Sequence, residues 1–135
     1  MASISQELQQ WAFKALDLGF GCISDGDHSP FVMVIDTKGQ EHLVNLESAN
    51  GVIDSNLVAR GRQIIQSFKS AQFYALVWDG YLTTGRHKQD AVFVEAGTYR
   101  EANAFVFAQK YKQKKRSKAV EKDGRPLAVT RAQHL

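Results

Sequence analysis

FYALVWD, residues 73–79, is apolar or aromatic at six consecutive positions and then stops at a carboxylate. A strand with one wet face alternates. A strand apolar on both faces must be covered on both, so this stretch belongs at the centre of a sheet. AFVFA, residues 104–108, reads the same way. The two lie in a series of three strand-like runs, 72–83, 90–96 and 103–111, linked by TTGRHKQ and GTYREA. Short, turn-rich links of this kind join antiparallel neighbours.

Working outward, residues 54–69 predict a helix that Asp54 or Ser55 caps. Leu57, Gly61, Ile64 and Phe68 share one face, joined by Val58 and Ile65. Glycine in mid-helix costs about 1 kcal/mol against alanine, so Gly61 implies a close packing contact that offsets the loss. Further upstream, FVMVID (31–36) is a second doubly apolar strand. Residues 37–40 turn the chain, and 41–46 return with alternation, which makes a hairpin. The chain opens with a helix over 3–18, its apolar face made of Ile4, Leu8, Trp11, Ala15 and Leu18. Ser3 and Gln6 suit a capping box, and Gly19 and Gly21 read as stop signals. Beyond Lys118, Asp123-Gly124 marks a turn and 126–130 a short edge strand.

The expectation is one α+β domain over 1–135, the basic C-terminal segment 109–135 included. It has a mostly antiparallel sheet of five to six strands and two helices, in the order α-β-β-α-β-β-β. Both helices are expected on one face of the sheet. The doubly apolar strands then leave uncovered surface, and a homo-oligomer, most simply a dimer, is the expected way to bury it.

The matching pieces Pro30, Phe31, Asp36, Gly39, ALVWD (75–79) and AVFVE (91–95) resemble the motifs of a group of small uncharacterised bacterial α+β proteins. The likeness spans residues 3–111. It implies the same order of elements and no activity, because none is assigned to that group.

The chain has 135 residues, of which 44% are hydrophobic and 23% charged, the balance of a globular protein rather than a disordered one. The single cysteine, Cys22, rules out an internal disulfide and favours a reducing compartment. The N-terminus lacks the pattern of a secretory signal, and no apolar run reaches the ~18 residues of a membrane span. Cytoplasmic location without membrane attachment is the expectation. Net charge is +3, yet the run QKYKQKKRSK (109–118) alone holds six cations, so the rest of the chain is mildly acidic.

That run supplies candidate anion-binding residues: Lys110, Lys112, Lys114, Lys115, Arg116 and Lys118. Phosphate neutralisation needs such cations, but base stacking needs aromatics, and the run has only Tyr111. Lysine at a sheet edge also deters edge-to-edge aggregation. Nucleic-acid binding is thus possible and not favoured. Asp79 and Glu95 are the candidate catalytic pair. If the intervening loop runs 84–90, residue 83 faces 91 and 79 faces 95, which sets two carboxylates side by side and raises one pKa. A one-residue slip would part them.

Other constellations fall short. Counted from Asp25, a calcium loop would need glycine sixth and glutamate twelfth, where the chain has Pro30 and Asp36. Asp27, His28 and Ser29 are consecutive and cannot form a relay among themselves. The four histidines show no metal-ligand spacing, and Gly19-Phe-Gly21 follows a helix instead of opening one. No metal or cofactor is expected. The leading function is a non-enzymatic, self-associating or partner-binding domain. Nucleic-acid binding is the alternative, followed by an enzyme built on Asp79 and Glu95.

Overall fold

The computed structural model describes residues 5–46, 55–68, 71–84, 86–99, 104–113 and 120–129. The elements run α1 (Gln6–Ser24), β1 (Phe31–Asp36), β2 (Glu41–Asn45), α2 (Ser55–Ser67), β3 (Ala71–Thr84), β4 (His87–Thr98), β5 (Phe105–Gln113), β6 (Val120–Lys122) and β7 (Leu127–Val129). Every strand pairing is antiparallel, in a seven-stranded sheet ordered β2-β1-β3-β4-β5-β6, with β7 also on β5. This is the expected single α+β arrangement: β7 falls within the short edge strand expected over 126–130, β6 is an addition, and both three-residue strands share the β5 edge. No helix among the described residues is long and apolar enough to cross a membrane.

The helices lie on opposite faces of the sheet, not on one. Leu8, Trp11, Ala12, Ala15, Leu16 and Ile23 of α1 pack with Met33, Ala75, Val77, Val92 and Val94 on one side. Leu57 and Ile65 of α2 pack with Val32, Val34, Tyr74 and Leu76 on the other. The doubly apolar character of β3 is therefore satisfied within one chain: Leu76 looks toward α2 and its neighbour Val77 toward α1. Surplus apolar strand surface no longer argues for an oligomer by itself.

A glycine sits at each crossing. A Cβ on Gly61 would lie 2.6 Å from Leu76 Cδ1, the close contact its mid-helix position implied. A Cβ on Gly19 would lie 2.6 Å from Val77 Cγ1. Gly19 and Gly21 thus do not end α1, which runs on to Ser24; its buried stripe continues through Gly19 and Ile23, and Leu18 is exposed instead. Ser5 caps the helix, its hydroxyl accepting the Leu8 N–H at 3.2 Å, while Ser3 and Ile4 lie outside the described residues.

The β1–β2 hairpin is held at its tip by Asp36. One carboxylate oxygen accepts the N–H groups of Lys38 and Gln40, both at 2.9 Å, and the other lies 3.0 Å from His42 Nε2. These bonds, His42 foremost, hold the Asp36 pKa below the usual carboxylate value.

Candidate functional site

The β3–β4 ladder closes at Thr84 opposite His87, leaving residues 85 and 86 as the link. Asp79 then faces Val92, and Glu95 faces Leu76. The offset from the expected register is three residues, an odd number, so the two carboxylates point to opposite faces. The candidate cross-strand acid pair is not formed, and each carboxylate has a separate set of partners.

Glu95 is buried on the α2 side. Arg62, the residue after Gly61, reaches it with two bonds, Nε to Oε2 at 3.2 Å and Nη2 to Oε1 at 3.1 Å. This fork satisfies a charge that would be costly to bury alone. The same carboxylate adds to burial in pushing the Tyr74 hydroxyl up to about 12.

Asp79 stands on the α1 side, at the end of β3's doubly apolar stretch. The Tyr111 hydroxyl from β5 donates to Oδ1 at 2.7 Å, and His28 Nδ1 lies 2.6 Å from Oδ2. One carboxylate thereby ties the loop after α1 and strand β5 to the centre of the sheet. Tyr111 is buried, and its hydroxyl needs a partner there. Burial first, and then the bond to Asp79, push the Tyr111 pKa far above the usual phenol value. With Nδ1 on the carboxylate, Nε2 is the remaining ring nitrogen, the orientation a general base would take.

The space beside this cluster is small. Cys22, Asp27, His28, Ser29, Trp78 and Asp79 help to line an open depression of about 190 Å³, solvent-open space included. Sites for small-molecule ligands enclose most of the ligand, which a depression this open to solvent does not. Burial first, then Asp27 and Asp25, push the Cys22 thiol up, the opposite of what activates a nucleophilic cysteine. No group of three or more metal-ligating side chains occurs among the described residues. The cluster reads as a clamp: it satisfies a buried phenol and pins a loop.

Of the basic run, Lys110 and Lys112 are described; Lys114, Lys115, Arg116 and Lys118 lie outside the described residues. Gln109 at its start is buried and donates to the Lys110 and Gly124 carbonyls. Lys112 is exposed but faces Glu121 across the β5–β6 ladder, with Asp123 at 4.0 Å. Acidic side chains on and beside β6 thus offset the part of the run that is described.

Asp79 and Glu95 stand out in the sequence, and their partners do not. His28 is 51 residues from Asp79, Tyr111 is 32, and Arg62 is 33 from Glu95. The legible signal was the anomaly of a carboxylate within an apolar strand. Nothing local named what neutralises it. No family model, curated protein or solved structure matches the chain.

Proposed function

We propose that this chain is a non-enzymatic domain that associates with a copy of itself or with a partner chain, through the edge of its sheet. The observation that carries the reading is strand β2. Among the described residues it pairs with β1 alone, and Leu43 in its middle is 54% exposed. An edge strand offers unpaired N–H and C=O groups to another strand, and β-augmentation is a general mode of protein binding. Two further points speak against catalysis. The two candidate carboxylates are separated by the sheet, and the depression at Asp79 is too open to solvent to enclose a substrate. Sedimentation equilibrium across a range of concentrations tests the reading. A concentration-dependent dimer is expected, and a monomer throughout would contradict self-association.

A further inference from the structure

We infer that the partner strand is β2 of a second copy, paired antiparallel about a two-fold axis through Leu43. The inference rests on the self-association reading and names its surface and register. The first support is hydrogen-bond parity. The Leu46 N–H donates to the Pro30 carbonyl at 2.9 Å and the Asp36 N–H to the Gln40 carbonyl at 3.0 Å, bracketing the β1–β2 ladder. The ladder between them pairs Val32 with Val44 and Val34 with His42. Antiparallel pairs alternate between bonded and non-bonded, so even-numbered residues of β2 bond to β1. Glu41, Leu43 and Asn45 therefore turn their N–H and C=O groups outward.

The second support is contrast between the two edges. β6 and β7 are three residues each, with Glu121, Lys122 and, just before β7, Pro126. Short strands, charges and proline are the devices that protect an edge. β2 has five residues with an unbroken register to β1, no lysine, no proline and one charge, Glu41. Among the described residues, one edge is guarded and the other is not.

The third support is self-complementarity. With Leu43 opposite itself, Glu41 meets the partner subunit's Asn45 and His42 meets the partner subunit's Val44. No like charges oppose, and each odd-numbered residue meets another whose bonds also point outward. Leu43 is buried against its own copy. A shift of two residues either way would set Leu43 against Glu41 or Asn45 and lose that contact.

Leu43→Pro is the test. The Leu43 N–H points away from β1, so proline removes no bond of the monomer and suits an edge strand. The circular dichroism spectrum and melting temperature should stay near those of the unaltered protein. The dimer dissociation constant from sedimentation equilibrium should rise at least about tenfold. Leu43→Lys, which sets two cations face to face, should do the same and decides the matter if the proline variant fails to fold. Variants that dimerise as tightly as the unaltered chain would overturn the β2 interface while leaving self-association standing. An unaltered chain that stays monomeric would leave the edge to an extended segment of another protein, and would overturn both.

Discussion

At the scale of single residues, Asp79 is the position on which structural and catalytic readings diverge. It accepts from Tyr111 and pairs with His28 across three segments of the chain. Tyr111→Phe should cost about 1 kcal/mol in urea unfolding, the net worth of one hydrogen bond. Asp79→Asn should lower stability or disturb local packing while abolishing no reaction. A turnover lost on that substitution with the fold intact would make the cluster an active site. Arg62→Ala should be more damaging, about 3 kcal/mol or more, because it strands the buried Glu95 carboxylate. The pH dependence follows from the tyrosines. Tyr74 and Tyr99 are both raised to about 12, chiefly by burial, and Tyr111 is raised as well. A raised folded-state pKa contributes stability that is intact below the unfolded value near 10 and is lost as pH climbs through the folded one. Stability should therefore drop steeply from about pH 10 to 12, with tyrosinate absorbance rising together with loss of the circular dichroism signal. Ionisation of these tyrosines ahead of unfolding would contradict their placement.

At the scale of elements, the two helices are fixed to β3 through glycines. Alanine normally stabilises a helix by about 1 kcal/mol over glycine. Gly19→Ala and Gly61→Ala should instead destabilise by about 1–3 kcal/mol, since each methyl would meet a core side chain on β3. A gain in urea-midpoint stability for either variant would mean that helix does not cross the sheet where described. The two glycines also show what was legible. Gly61 sits within an apolar periodicity that continues past it, so its packing role could be read. Gly19 follows the end of an apparent stripe and imitates a stop, and only the contact with Val77 explains why the helix goes on. The existence of β1 to β5 was legible from apolar runs and turn residues. The β3–β4 register was not, because the strands extend into the polar TTGRHKQ stretch and shorten the link to two residues.

At the scale of the whole molecule, the sequence required cover on both sides of its central strand and left open where that cover came from. The placement of α1 and α2 on opposite faces supplies it from the same chain. On the self-association proposed above, the edge β2 is the surface that takes the partner. Among the described residues of the basic run, Glu121 and Asp123 lie against Lys112, which weighs against nucleic-acid binding at that position. Duplex DNA should bind weakly or not at all in an anisotropy titration. Any binding should weaken with salt along a logarithmic slope shallower than about −5, the bound that six phosphate contacts would set. Tight binding that survives ~0.3 M salt would contradict this.

Amide hydrogen exchange along β2 reads each outward bond separately and so probes the proposed edge pairing bond by bond. At low protein concentration the amides of His42, Val44 and Leu46 should exchange slowly, shielded by β1 and the Pro30 carbonyl, while those of Glu41, Leu43 and Asn45 exchange fast. At high concentration the odd-numbered three should become slow as well. Fast exchange at Glu41, Leu43 and Asn45 at every concentration, in a sample that sediments as a dimer, would show that the chain associates through some other surface.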